Sequence, residues 1–322
     1  LFSTSKQATF NRSYRGIKEI QMGDHTAISW AHHTMNPWVG CMKVSDGCKH
    51  CYAEEMVTRL MKKPHLWGPA ATHRRERTSV ANWQRAVRWN AEAERRGVAR
   101  RVFAASLADV FEDHPDCNAA RPDFWDLVRR TPYLQWQILT KRPEHIREML
   151  PNDWGTHGWA NVWLGTSIES MDVASRADHL CEVPAVVRFV SYEPALGPLD
   201  DLDLGGIDWV ICGGESGPKY RAMSLDWAHT MRRKCAEAGV AFFFKQSSAP
   251  RTEMGIMLDG EIVRAYPAPL SINWDGSAQS PSGAPTLDPA VRAAYAARVA
   301  EDANDANATA RFASIAQGTM DL

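Results

Sequence analysis

The segment RVFAASLADVFEDHPDCNAARPDFWDLVRRTPYLQWQILTKRPE, residues 101–144, decides the fold. It opens with RVFAAS (101–106) and closes with QWQILT (135–140), short runs rich in β-branched and aromatic residues of the kind that form strands. Between them, RPDFWDLVRR places Phe124, Leu127 and Val128 at helical spacing on one apolar stripe. Strand, helix and strand in succession form the crossover unit that joins parallel strands.

The unit recurs along the chain. NVWLGT (161–166), VVRFVS (186–191), DWVICG (208–213) and VAFFFK (240–245) read as further strands, with successive starts 22 to 34 residues apart. HTAISW (25–30) reads as another, which makes seven βα units. The runs are nearly continuous in apolar residues, as expected of strands covered on both faces. SLDWAHTMRRKCAEAG opens on Ser224, repeats Trp227, Met231 and Cys235 on one face and stops at Gly239. TSVANWQRAVRWNAEAERRG reads as an amphipathic helix burying Val80, Trp83 and Val87. The expected class is α/β, a partial or complete parallel (β/α) barrel over 25–267, with a doubly wound open sheet as the alternative. Residues 1–24 read as a leader or upstream extension, with Met22 resembling an ordinary start. From about 268 the chain becomes an Ala-, Ser- and Asp-rich tail in which LDPAVRAAYAARVAEDAN is one candidate helix.

Composition narrows the function. The formal charge is −1, so there is no whole-molecule attraction to nucleic acid or anionic membranes, and no membrane partner is expected. A local patch remains available, since Arg59 to Arg101 holds twelve Lys/Arg against three Glu. No apolar run is long enough for a membrane span or a secretory signal, which points to the cytoplasm. Seven cysteines without a secreted spacing suggest reduced thiols kept for metal, and the thirteen tryptophans read as core and interface anchors.

In a barrel of this kind the chemistry sits where each strand's carboxyl end meets its loop. Those positions carry Ser106 and Asp109, Thr140-Lys141-Arg142, Thr166-Ser167, Ser191 and Glu193, Gly213-Gly214-Glu215-Ser216, and Lys245-Gln246. Six strands ending alike indicate a shared pocket, and the paired glycines let a backbone approach a ligand closely. The sharpest signal is CMKVSDGCKHC, where Cys41, Cys48 and Cys51 have the spacing C-x6-C-x2-C. Thiolates suit zinc or iron–sulfur clusters, and closed zinc sites and electron-transfer clusters take four protein ligands. Three thiolates leave one metal position open. A zinc site completed by His50, His33 or Cys117, or three buried cysteines without metal, are the competing readings. Cys181, Cys212 and Cys235 read as small apolar filler.

The segments SWAHHTMNPWVGCMKVSDGCKHCYAE, SLADVF, LTKRPE, FVSYEPALGPL, VICGGESGP and FFKQ, in this order within 25–247, resemble the phage three-cysteine-motif family, a relative of the radical S-adenosylmethionine superfamily. The usual superfamily spacing is C-x3-C-x2-C, three residues shorter. The GGE triplet, which in relatives often follows the second strand, here follows the sixth.

The resemblance implies a 4Fe-4S cluster on Cys41, Cys48 and Cys51. S-adenosylmethionine would bind at the open iron, an electron donor would reduce the centre, and a 5′-deoxyadenosyl radical would act in the host cytoplasm. It further implies Ser106 and Asp109 at the methionine amine, Thr166 or Glu193 at the ribose or carboxylate, His50 against the cofactor, and Gly213 beside it. Lys141 would face the substrate; Glu215 would face cofactor or substrate. A phage setting suggests a rearrangement or modification of DNA or a modified nucleoside, such as a hypermodified thymine, flipped out of any duplex. Two other classes compete: a zinc-stabilised nucleic-acid-binding module without catalysis, using HRRER as its contact surface, and a metal-dependent barrel hydrolase using Asp109, Glu193 and Lys141.

Overall fold

The computed structural model describes Thr26 and residues 28–267. The expected extension over 1–24, the tail from 268 and its candidate helix lie outside the described residues. In chain order the elements are β1 (His33–Thr34), β2 (Trp38–Val39), α1 (Tyr52–Glu55), β3 (Glu76–Arg77), α2 (Val80–Arg96), β4 (Arg100–Ala104), α3 (Pro115–Arg129), β5 (Leu134–Thr140), α4 (Ile146–Met149), β6 (Val162–Ser167), α5 (Arg176–Cys181), β7 (Val187–Tyr192), β8 (Trp209–Gly213), α6 (Leu225–Ala238) and β9 (Ala241–Gln246). The six strands from β4 to β9 are the six apolar runs, each starting within one residue of its expected position.

The first strand is a correction. Ser29 and Trp30, at the end of HTAISW, form a turn, and the strand is His33–Thr34, paired in parallel with Val102 and Phe103. The reason lies in Trp30, whose indole turns into the sheet's concave side and packs on Phe103 with ring centroids 4.6 Å apart. The next segment then takes up the edge, with the N–H groups of His32 and Met35 donating to the carbonyls of Arg101 and Phe103.

Strand order is β1-β4-β5-β6-β7-β8-β9, with every neighbouring pair parallel, while β2 and β3 form a separate antiparallel pair. Each new strand joins the same edge, so the reversal of order that defines a doubly wound sheet is absent among the described residues, and the sheet is a curled partial barrel. Curvature is visible in the side chains: the one Trp30 ring touches Phe103 of β4, Phe189 of β7 and Trp209 of β8. Trp209 also packs edge-on to Trp163 and Phe243, and Tyr266 lies against both Trp209 and Phe243. These rings fill the lower lumen. Gly165 makes room for them, because a Cβ there would collide with the Phe189 ring. On the convex side Val102, Trp136, Ile138, Leu164, Val190, Val210 and Phe244 belong to one continuous core shared with the helices.

The helices obey the sequence with one exception. In α3, Phe124, Leu127 and Val128 are buried; in α6, Ser224 caps the first turn by accepting from the Asp226 N–H, and Met231 and Cys235 face the core. In α2, by contrast, Val80 and Val87 are exposed, and the buried face is Ala86, Trp89 and Ala93. Two alanines let the helix lie close, so the larger Trp89 decides which stripe turns inward; Trp83 is half-buried beneath the Arg77 guanidinium.

Gly165→Ala is expected to lower unfolding free energy by ~1–3 kcal/mol through overpacking, measured by urea denaturation. An unchanged midpoint would show that Phe189 is free to move.

Candidate metal centre at the barrel mouth

After β2 the chain passes Gly40, whose N–H donates to the Leu107 carbonyl, and so lays the cysteine loop across the loop that follows β4. Asp46–Cys48 form a single 3-10 turn, and Cys51 is the residue preceding the first turn of α1. Cys48 is buried, while Cys41 and Cys51 are half-buried. All three thiols thus sit on one short loop at the carboxyl end of the sheet, and charges descending from three strand ends grip that loop.

The grip at Cys41 comes from the loop after β5. Arg142, with a side chain only 5% exposed, donates from Nη1 to Asp109 Oδ2 (2.9 Å) and from Nη2 to the Met42 carbonyl (2.8 Å). The same Nη1 lies 3.7 Å from Cys41 Sγ. Asp109 is fully engaged: it also accepts from the N–H groups of Phe111 and Lys141 and from Thr140 Oγ1 (2.7 Å). Behind them Arg75 and Glu112 form a buried twin hydrogen bond (2.8 and 2.7 Å), and Glu112 stands 3.7 Å from Arg142. Removing one partner from such a buried set costs about 3–5 kcal/mol, whereas exposed pairs contribute about 1 kcal/mol or less.

The middle of the loop is held from β6. Glu169 accepts from Ser45 Oγ, Lys141 Nζ and Arg176 Nη1, each at 2.8 Å. Gly47 permits this approach, because a Cβ there would collide with the Glu169 carboxylate. The far end is held from β8: Glu215 accepts two bonds from the Arg221 guanidinium and one from its backbone N–H, and lies 3.1 Å from His50 Nδ1. Arg221 Nη1 reaches on to Asp46 (2.6 Å).

These contacts set protonation. Burial alone would raise the Glu169 and Glu215 carboxyls, but Lys141 and Arg176 at the first and Arg221 and His50 at the second outweigh it, holding both below the usual carboxylate range. Burial pushes the Cys41 thiol up to about 12 against the pull of Arg142, with Glu112 and Asp109 adding to the rise. Burial likewise raises Cys51, with the neighbouring Cys48 contributing and Lys141 opposing. A bound cation reverses this balance, since metal coordination deprotonates a thiol outright.

Of the residues singled out from sequence, the structure brings Cys41, Cys48, Cys51, His50, Asp109, Lys141 and Glu215 into this assembly. Ser106 is close by: its Oγ accepts from Asn36, and its carbonyl accepts from the hydroxyl of Tyr52, which follows Cys51. Glu193 pairs with Lys245 (2.8 Å), and Gly213 adjoins it, a Cβ there falling 2.8 Å from Glu193 Oε1. Thr166 stands apart, buried and donating to the Thr140 carbonyl within the sheet. Among the proposed fourth zinc ligands, His33 stacks flat on Trp89 at 4.3 Å and Cys117, on the first turn of α3, is buried in the core. Asp109, Glu193 and Lys141 each hold a different charged partner. The basic segment is partly paired, Arg59, Lys63, Arg74, Arg77 and Arg96 meeting Glu55, Glu76, Asp116, Asp123 and Glu92.

Sequence reasoning missed Glu169, Arg221, Arg75 and Glu112 as members of the site. Glu169 lies two residues beyond the Ser167 that was noticed, while Arg75 and Glu112 look like surface charges until the fold buries them. The donor chemistry fits an iron–sulfur centre: three soft sulfurs on one loop, with Arg142 beside Cys41 and the charge of Lys141 felt at Cys51. Among the described residues no three His, Cys, Asp or Glu side chains already stand drawn together as metal ligands. Nor is any helix among them long and apolar enough to cross a membrane.

Fold and site together define a class: a parallel partial barrel with a three-cysteine loop clamped over its mouth. Residues 25–267 match the family described as "Protein of unknown function (DUF5131)", and the chain belongs to that family. No curated protein sequence matches it. Among solved structures, a single-residue variant of spore photoproduct lyase is similar at 13% identity, covering 70% of this chain and 79% of that one with a TM-score of 0.46. The same enzyme complexed with dinucleoside spore photoproduct is 15% identical, with coverages of 69% and 66% and a TM-score of 0.42. A double variant with bound AdoMet and the dinucleoside is 14% identical, with coverages of 64% and 62% and a TM-score of 0.39.

Because both carboxyls have lowered folded values, their stabilisation is complete above the unfolded value of about 4.5 and is lost as pH falls through the folded values. Glu169→Gln should therefore reduce stability at neutral pH and flatten its decline below about pH 4.5, followed by denaturant titration at several pH values. An unaltered acid slope would contradict the ion-pair assignment.

Proposed function

We propose that the chain is a radical S-adenosylmethionine enzyme whose 4Fe-4S cluster is held by Cys41, Cys48 and Cys51. The observation that carries this reading is the three-thiol loop gripped from three strand ends over a partial barrel, because the loop supplies three soft ligands and leaves one metal position open. Bound to Cys41, Cys48 and Cys51, such a cluster would supply one-electron reductive cleavage of S-adenosylmethionine to methionine and an adenosyl group able to take a hydrogen atom from substrate.

The chain's own residues then have distinct tasks. Arg142, Glu169 and Arg221 fix the loop that carries the three thiols at Met42, Ser45 and Asp46. The aromatic rings from Trp30 to Tyr266 close the lower lumen, keeping water from below and leaving the mouth as the reaction chamber. Glu193 and Lys245 form an ion pair beside Gly213 and are partly exposed, which suits them to meet the two charges of the methionine end or its ribose. Asp109, with its acceptor positions filled by the chain, serves to hold Arg142 rather than to bind the methionine ammonium. Glu215 likewise serves the loop through Arg221, while Lys141, paired with Glu169 and still partly exposed, has further ammonium donors to offer the substrate. We assign the substrate to the modified nucleosides, with a hypermodified thymine of phage DNA as the first to be offered.

Protein prepared anaerobically is expected to be brown and to carry close to one cluster per chain by iron and sulfide assay. Alanine at Cys41, Cys48 or Cys51 should abolish it, while alanine at Cys117, Cys181, Cys212 or Cys235 should leave it in place. Colourless protein with stoichiometric zinc would sink the proposal.

Reduced, iron-loaded protein given S-adenosylmethionine should also release methionine and 5′-deoxyadenosine, slowly alone and faster with the right nucleoside. Lys141→Ala leaves Ser45 and Arg176 on Glu169, so it should preserve the uncoupled cleavage and depress product formation. Cleavage no greater than in a triple-cysteine variant would exclude the radical chemistry.

A further inference from the structure

The pair Asp109–Arg142 occupies an unusual place. Arg142 Nη1 is shared between Asp109 Oδ2 at 2.9 Å and Cys41 Sγ at 3.7 Å, and Nη2 holds the carbonyl of the next residue, Met42. The guanidinium cannot lose its proton, and both side chains of the pair are nearly buried, at 5% and 7% exposure, so salt screens their charges little. Arg75 and Glu112 complete a compact group of two cations and two anions, in which Arg75 takes Glu112 through its twin bond. The group is neutral as a whole, and Arg142 is the member turned toward the sulfur.

Resting on the three-thiolate reading above, we infer that Arg142 and Asp109 form a polarity couple that sets the reduction potential of the centre through the Cys41 ligand. A cluster on three thiolates is anionic, and reduction adds further negative charge. Its potential responds to net charge nearby and to hydrogen bonds on its sulfurs. Arg142 favours the reduced form by both routes, and Asp109 offsets part of that charge while fixing the direction of the guanidinium. Arg142→Gln leaves the group with one net negative charge beside Cys41, whereas Asp109→Asn leaves it with one net positive charge.

The two substitutions therefore act with opposite sign, which a merely loosened loop would not produce. Redox titration of the reconstituted wild type and variants, followed by the electron paramagnetic resonance signal of the reduced centre, reads the effect with iron content measured alongside. Arg142→Gln should disfavour reduction by about tenfold, a fall of about 59 mV for one electron, and Asp109→Asn should shift the potential upward. Arg142→Lys keeps the charge and loses the fork, so it should retain the cluster and fall between Arg142→Gln and wild type. Shifts of the same sign in Arg142→Gln and Asp109→Asn, or no shift in either, would overturn the inference, as would loss of the cluster from the Arg142→Lys protein. If the wild type itself takes up no cluster, the three-thiolate reading fails first and the couple falls with it.

Discussion

The site depends on one constraint: a loop carrying three thiols and little apolar surface has to be held still over the open end of a barrel. Apolar burial does little of this, because Val44 is exposed and Met42 is the loop's one other large apolar side chain. Buried carboxylates do it instead. Asp109, Glu169 and Glu215 each fix a cation, and Arg142 on Met42, Glu169 on Ser45 and Arg221 on Asp46 join the loop to the ends of β5, β6 and β8. Charges taken out of water at such a cost are retained where geometry has to be unique, and here each set touches the loop at a different point.

The remainder of the fold supplies rigid anchor points for those contacts. Seven parallel strands in simple order curl until Trp30 can touch three of them, and the rings packed below keep the curvature fixed. Two glycines serve the same end by opposite means. Gly165 admits the Phe189 ring into the lumen, and Gly47 admits the Glu169 carboxylate to the loop.

Much of the barrel was legible because parallel strands buried on both faces write themselves as apolar runs, and β4 to β9 appear where those runs are. The first strand was not, since HTAISW has strand-like composition but Trp30 gains more by filling the lumen than by lying in an edge. The face of α2 was misjudged for a related reason: valines look like core, yet a close-lying helix buries its alanines. At the site, the cysteines and polar strand ends were legible from spacing. Their division of labour was not, because Asp109 looks equally suited to a ligand's ammonium or to a buried arginine until its partners are seen. Glu112 and Arg75 carry no local pattern at all; only the topology brings residues 37 apart into a buried pair. The basic run from Arg59 to Arg101 shows the converse, a strong compositional signal that acidic partners from outside the run, Glu55, Asp116 and Asp123, reduce in part.

The proposed radical chemistry requires that the chain supply three ligands to a cluster and leave one iron for a small molecule. Mössbauer spectroscopy of the iron-57-loaded, anaerobic protein tests this most directly, recorded without and with S-adenosylmethionine. The expected result is a 4Fe-4S spectrum in which addition of S-adenosylmethionine shifts one iron of the four to a distinct, more highly coordinated site while the other three stay thiolate-bound. A spectrum unchanged by S-adenosylmethionine, or one showing four equivalent thiolate-bound irons, would contradict it.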